Sequence, residues 1–323
     1  MDGGAGMTGV LVLDRSQTRA ALDPPRVLEA VATALVAIGR GQVSAPPRIA
    51  ARTATGLLGA MPGHVPGLGL AAKLVSVFDD PRSPGRSAHR GMVALFDADD
   101  GRPLALMDAE SLTGIRTAAA ATLSARALGA PAPAGPGTVI GTGAQARAQV
   151  ALLAALDPTA PVVVAGRDPR RARLTADLHP EGRTAVDIET AVRAAGVVFC
   201  CTGATRPVVH RDWLAAGTHI SSVGGSHGPE LDTATLRDAA LFAEWAGAAT
   251  AAPPAGAHEL QGLPAGRTVT LLGQVLAGER PGRRSADELT VFKSTGHAAL
   301  DVAAAHVVHT VASAAGWGTR VDL

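Results

Sequence analysis

The sequence predicts an α/β protein of two domains, or one large domain with an insertion. Three observations carry this. The chain has 323 residues, of which 47% are hydrophobic, ample for a real core. From Thr138 onward strand-like and helix-like segments alternate, the pattern of a parallel, doubly wound sheet. Between the two halves lies GAPAPAGPG (129–137), the densest proline and glycine linker.

The first third reads as strand-rich with one helix. Residues 24–39, PPRVLEAVATALVAIG, have helical apolar spacing, with two prolines at the start and Gly39 at the stop. GLLGAMPG, LGLAAKLVSVF and GMVALFD follow as strands separated by turn residues. MVALFD and PLALMD flank DADDGR and form a hairpin. Asp108 then caps a long alanine-rich helix, DAESLTGIRTAAAATLSARAL, with Glu110 in its first turn.

Beyond the linker, TVIG is a strand, AQARAQVALLAAL a helix, PVVVAG a strand and DPRRARLTADL a helix. VVFCCTG, HISSVGG and ALFAEW read as further strands. Residues 249–266 read as a surface loop. The tail from about Thr290 is a strand leading into a long helix that returns to the first domain. No internal repeat is visible.

Composition excludes several function classes. The net charge is +1, basic residues are scattered and aromatics are 2%, so nothing favours nucleic acid. The start, MDGGAGMTG, lacks a signal peptide's apolar core, and no apolar run reaches the roughly 18 residues of a membrane span. The only cysteines, Cys200 and Cys201, are strand neighbours that point to opposite faces, which suits core packing and a reducing, cytoplasmic setting. His89, His227 and His297 come from separate segments without ligand spacing, so no metal site is expected. Of 29 basic residues only Lys73 and Lys293 are lysine. Lysine is a compact charge whose pKa drops on burial, which suits proton transfer.

Gly141-Thr142-Gly143-Ala144-Gln145-Ala146 is G-x-G-x-x-A, directly after a strand and before a helix. In that context it predicts a dinucleotide whose pyrophosphate sits on the helix N-terminus. The second strand ends in A-G-R-D-P-R-R rather than in an exposed acid. Asp168 and Pro169 read as N-cap and first helical residue. Arg167, Arg170 and Arg171 surround that cap and favour a 2′-phosphate, hence NADP(H) over NAD(H).

P-P-R-I (46–49), A-A-K-L-V-S-V-F (71–78), H-R-G (89–91), L-M-D-A-E-S-L-T-G-I-R-T-A-A-A (106–120), G-T-G-A-Q (141–145) and T-V-F-K-S-T-G-H-A-A-L-D (290–301) occur in this order. Together they resemble the ornithine cyclodeaminase/mu-crystallin family over nearly the whole chain. The resemblance implies a Rossmann domain, residues 119–291, inserted into an α+β substrate-binding and dimerisation domain of residues 1–118 and 292–323. It implies a homodimer and a small amino or imino acid as substrate.

The resemblance also places Arg48, Lys73 and Arg116 around the substrate. Paired arginines can clamp an α-carboxylate, and a buried lysine can handle protons at nitrogen or carbon. Read alone, Arg116 is a helix-surface cation and Arg48 a loop cation. Thr117, Gln145 and Ser294 map to cofactor-contacting positions, joined by Gly141, Gly143, Ala144, Arg167, Arg170, Thr202 and Gly203. Lys293 is expected near the cofactor, and Asp301 is expected to be structural.

One loop departs from the cyclodeaminase pattern. Cyclodeaminases carry G-G-D where this chain has Gly224-Gly225-Ser226, and their later lysine is replaced by Gly228-Pro229-Glu230 in a shortened loop. Serine is a poor general base by itself. Mu-crystallin-like ketimine reductases also have serine there. The expected activity is therefore NAD(P)H-dependent reduction of a small, cyclic α-imino acid, or amino-acid dehydrogenation. Cyclodeamination of ornithine or lysine, and a non-catalytic binder of the mu-crystallin kind, are the alternatives. Ser226 and His227 are further catalytic candidates, and His89 and His297 line the substrate pocket in this reading.

Overall fold

The computed structural model describes residues 9–78, 89–131, 135–225, 227–264 and 266–322. In chain order the strands are β1 (Val10–Val12), β2 (Ile49–Arg52), β3 (Gly56–Val65), β4 (Gly69–Phe78), β5 (His89–Phe96), β6 (Pro103–Asp108), β7 (Gly137–Ile140), β8 (Val162–Ala165), β9 (Gly182–Thr184), β10 (Val197–Cys200), β11 (His219–Ser222), β12 (Ala240–Ala243), β13 (Val269–Leu271), β14 (Thr290–Lys293) and β15 (Thr319–Val321). The helices are α1 (Arg15–Ala21), α2 (Pro24–Gly39), α3 (Ala109–Leu128), α4 (Ala144–Leu156), α5 (Pro169–Ala176), α6 (Ile188–Arg193), α7 (Thr233–Asp238), α8 (Gly247–Thr250), α9 (Leu272–Leu276) and α10 (Ala298–Ala315).

The chain divides into two units. The first holds residues 1–37, 42–116 and 298–323; the second holds residues 38–41 and 117–297. The dividing point therefore falls inside α3, between Arg116 and Thr117. At the other end β14 stays in the second unit, and the chain leaves it only at Ala298. The expected boundary at residue 292 cuts a strand that is paired on both sides, by β11 and by β12.

The first unit is a seven-stranded sheet, order β15-β1-β6-β5-β4-β3-β2. Its long strands β3, β4, β5 and β6 are antiparallel neighbours, and side chains alternate between the two faces. One face carries Val65, Ala71, Lys73, Val93, Leu95, Ala105 and Met107, all buried. α10 lies over β3 and β4 on this side: a Cβ on Gly63 would touch Ala298 and come within 3.5 Å of Val302. α10 is apolar enough by length and hydropathy to cross a membrane, yet 61% of it is buried in the unit as its core helix. α1, which the sequence did not suggest, opens with a capping box between Asp14 and Gln17.

The second unit is an eight-stranded, all-parallel sheet, order β13-β12-β14-β11-β10-β7-β8-β9. The run β9-β8-β7-β10-β11 reproduces the 3-2-1-4-5 order of doubly wound dinucleotide-binding sheets, with the order reversing between β7 and β10. Cys200 belongs to the apolar cluster on one side of this sheet and Cys201 to the cluster on the other. Burial pushes both thiols well above the usual cysteine range. The stretch 249–266, expected as a surface loop, is partly core: Ala257, Glu259 and Leu260 are buried.

His219 lies fully buried at the start of β11, between Thr290 Oγ1 at Nδ1 (2.9 Å) and the hydroxyls of Ser124 and Ser221 at Nε2 (3.1 Å each). Burial, with Arg283 adding, lowers its pKa from 6.5 to about 3. Between those values the unfolded chain binds a proton on this ring and the folded chain does not. The contribution is complete above pH 6.5 and is lost as pH falls toward about 3, with a slope approaching about 1.4 kcal/mol per pH unit. Urea unfolding across this window should show a shallower pH dependence for His219→Gln than for the parent chain; identical slopes would refute the assignment.

Candidate active site

Among the expected substrate residues, the first unit brings Lys73 and Arg116 together through a third side chain. Lys73 stands on the helix-covered face of β4, 5% exposed, and Arg116 on α3, 4% exposed. Asp301, in the first turn of α10, lies between them. Its Oδ2 is 2.8 Å from Lys73 Nζ, and its Oδ1 accepts from Arg116 Nε at 3.2 Å. A carboxylate in a first helical turn is also favoured by the helix dipole. Asp301 itself is 1% exposed, so all three charges are withdrawn from water.

The electrostatics follow from that burial. Desolvation lowers the Lys73 pKa; Asp301 opposes the shift, while Arg116 and Arg48 reinforce it. Desolvation acts to raise Asp301, but Lys73 and Arg116 outweigh it and hold the carboxyl below its ordinary value. Arg48 is exposed, just ahead of β2. Two buried cations thus share one carboxylate. An uncompensated buried charge is costly, and a bound anion would relieve it. The bland reading of Arg116 as a surface cation does not survive its burial.

In the second unit the turn after β7 has the shape a pyrophosphate needs. Gly141 has φ +122°, and a Cβ there would come within 2.5 Å of the Cys201 carbonyl oxygen. A Cβ on Gly143 would meet nothing within 4 Å, so this side of the turn is open. Gly143 is the N-cap of α4 and offers no side-chain hydrogen bond, leaving the N–H groups of the first turn, Ala144 included, for a ligand. Gln145 Oε1 is buried without a hydrogen-bond partner among the described residues. These features fit a dinucleotide. After β8, Asp168 Oδ1 accepts from Arg170 N (2.9 Å) and Arg171 N (3.1 Å), while Arg167, Arg170 and Arg171 are exposed around this cap.

Thr117 is buried in α3. Thr202 and Gly203 follow β10, and a Cβ on Gly203 would approach His227 Cδ2 at 3.7 Å; His227 is exposed. Ser294 Oγ donates to Glu244 Oε2 at 2.7 Å. The His297 ring lies 5.4 Å from Trp245. Ser226 lies outside the described residues, as does the side chain of His89, which opens β5. Lys293, expected near the cofactor, is buried and bonded to Glu259 (2.9 Å) and Ser222 (2.8 Å).

Sequence reasoning passed over Asp301 as structural and did not single out Glu230, Glu244 or Glu259, all buried. For Asp301 a signal existed: one carboxylate within an apolar helix requires a buried cation. The glutamates follow strand ends or sit in loops, where nothing local distinguishes them from surface acids.

The model of the ornithine cyclodeaminase/mu-crystallin family matches residues 11–316. The chain is 29% identical to an alanine dehydrogenase of Archaeoglobus fulgidus, covering 96% of this chain and 98% of that protein. It is 32% identical to a Delta(1)-pyrroline-2-carboxylate reductase of Paracoccus denitrificans, over 80% of this chain and 84% of the relative. The Thermococcus litoralis Delta(1)-pyrroline-2-carboxylate reductase in complex with NADH and L-proline superposes with a TM-score of 0.83 at 28% identity, covering 97% of this chain and all of that one. The dinucleotide turn, the paired buried cations and a match across almost the full length agree, and the chain belongs to the ornithine cyclodeaminase/mu-crystallin family.

Proposed function

We propose that this protein is a nicotinamide-dependent reductase of a small α-imino acid, with cyclic ketimine acids of the pyrroline- or piperideine-2-carboxylate type as preferred substrates. The observation that carries this reading is the buried trio of two cations and one carboxylate, Lys73, Arg116 and Asp301. Their surplus positive charge suits a substrate carboxylate, and Lys73 has the lowered pKa of a proton-transfer group. Arg48 and Arg116 hold the carboxylate by charge-assisted hydrogen bonds. Lys73 delivers a proton to the imine nitrogen as the carbon becomes tetrahedral. Gly141, Gly143, Ala144 and Gln145 hold the dinucleotide, which supplies the hydride when bound. The relatives named for pyrroline-2-carboxylate reduction and alanine dehydrogenation support this class of chemistry.

NADPH is the proposed cofactor because the three arginines surround an aspartate already engaged in capping. The assay is a panel of cyclic ketimine and α-keto acids, the latter with ammonia, run with NADPH and with NADH. Oxidation of the reduced cofactor is expected with the ketimines and at lower KM for NADPH. No turnover across the panel would overturn the reductase reading, and a clear NADH preference the cofactor assignment.

Asp301 sets how readily Lys73 gives up its proton. Its charge raises the Lys73 pKa, so Asp301→Asn lowers it. Reduction needs protonated Lys73, and the rate therefore declines as pH rises through this pKa. The basic limb of the kcat/KM profile should move to lower pH in Asp301→Asn and to higher pH in Arg48→Ala. A limb that stays in place in both variants removes Lys73 as the proton donor. Stability of Asp301→Asn should fall by about 3–5 kcal/mol, since two buried cations lose their partner.

The outer face of the first sheet supports a homodimer. Ile49, Leu58, Leu70 and Met92 share that face by their strand register and are 68%, 50%, 36% and 48% exposed. An apolar sheet face of this kind calls for a partner surface, here a second copy. Light scattering should give twice the chain mass, and the paired change Leu58→Asp with Met92→Asp should halve it. A monomeric parent protein would end this assignment.

A further inference from the structure

The second unit contains a buried charge network that the proposed chemistry does not use. Glu230, Glu259 and Lys293 are its members, 0%, 7% and 1% exposed. Its place follows from topology. In a doubly wound sheet a dinucleotide crosses the carboxyl ends of the strands where their order reverses, here between β7 and β10. The adenosine half of a bound dinucleotide would run toward β8 and its arginines. The nicotinamide half of a dinucleotide bound there would then face the ends of β10 and β11, where the loops beginning at Cys201 and Val223 emerge.

Glu230 ties these two loops together. Its Oε1 accepts from the backbone N–H and the hydroxyl of Thr202, both at 2.7 Å. Its Oε2 accepts from Gly224 N at 2.9 Å and Ser222 Oγ at 2.7 Å. Lys293 Nζ holds the strap from behind, donating to Ser222 Oγ (2.8 Å), Gly224 O (3.1 Å) and Glu259 Oε1 (2.9 Å). Glu259 Oε1 in turn accepts from Glu230 N at 3.0 Å.

The two adjacent glycines are shaped by this strap. A Cβ on Gly224 would overlap the Thr202 carbonyl oxygen and lie 2.5 Å from Glu230 Oε1. Gly225 has φ +84°, and a Cβ there would lie 2.8 Å from Lys293 Nζ. Buried ion networks are poor sources of stability, because desolvation offsets their attraction and apolar replacements are often as stable. Their strength is geometric, since a carboxylate with four donors fixes all four. Two of the four donors are loop backbone N–H groups at the ligand end of the sheet.

We propose that Glu230, itself held by Lys293 and Glu259, is a positioning residue that sets the Thr202–Gly203 and Gly224–Gly225 backbones for the nicotinamide half of the dinucleotide. This rests on the dinucleotide-binding reading above. Glu230→Gln keeps the size of the side chain but replaces one acceptor oxygen by a donor, so at least one loop is released.

Calorimetry separates the two halves of the ligand, using NADPH and the nicotinamide-free fragment 2′-phospho-ADP-ribose. The parent protein should bind NADPH more tightly than the fragment. Glu230→Gln should weaken NADPH binding by about tenfold or more, the scale of a lost charged hydrogen bond, and leave fragment binding unchanged. Ser222→Ala, which removes one donor to Glu230, should act in the same direction with a smaller change and serves where Glu230→Gln does not fold. Unchanged NADPH affinity in folded variants overturns the proposal. So does an equal loss for both ligands, which marks a general structural role. A parent protein that binds neither ligand overturns the dinucleotide reading itself and the proposal with it.

Discussion

A single carboxylate organises the charged interior of the first unit. Asp301 stands between Lys73 and Arg116 where none of the three reaches water. Removing it would strand two cations in a low-dielectric interior, and removing either cation would leave the other pairing intact but the cluster electrically balanced. The surplus positive charge is therefore a property of the trio and not of any one residue. That surplus would favour an anion beside the cluster, and the same burial lowers the lysine pKa.

The constraint also explains why a long apolar helix carries an acid. α10 covers the inner face of the first sheet with alanines and valines, and its first turn brings Asp301 over β4. β4 presents Lys73 to the same face because side chains alternate along a strand. A slip of one residue in the β3–β4 register would send Lys73 to the outer, apolar face. Register, helix placement and site charge are thus one problem with one solution.

The second unit solves a related problem with different groups. Its glycine turn after β7 leaves backbone N–H groups open, whereas the loops after β10 and β11 have theirs filled by Glu230. The open N–H groups suit a ligand's negative charge. The filled ones fix loop geometry instead. The pair Gly224-Gly225, which in the sequence marks only a loop lacking the cyclodeaminase acid, is required by the carboxylate and ammonium packed against it.

The sequence by itself determined the elements whose signal is local. Helix periodicity with proline and glycine stops defined α2, the capping aspartates Asp108 and Asp168 placed two helix starts, and G-T-G-A-Q-A identified the turn after β7. Lys73 and Arg116 were legible through rarity and motif. What the sequence could not decide is which charges meet, because pairing depends on contacts far apart in the chain. Arg116 and Asp301 are 185 residues apart, and Lys293 reaches Glu259 across 34. A strand parity can be read from two neighbouring residues, but an acid in a loop or a helix looks exposed until the fold removes its water. Only the tertiary structure decided that Asp301 lies buried between Lys73 and Arg116 and that Glu230 and Glu259 are interior groups.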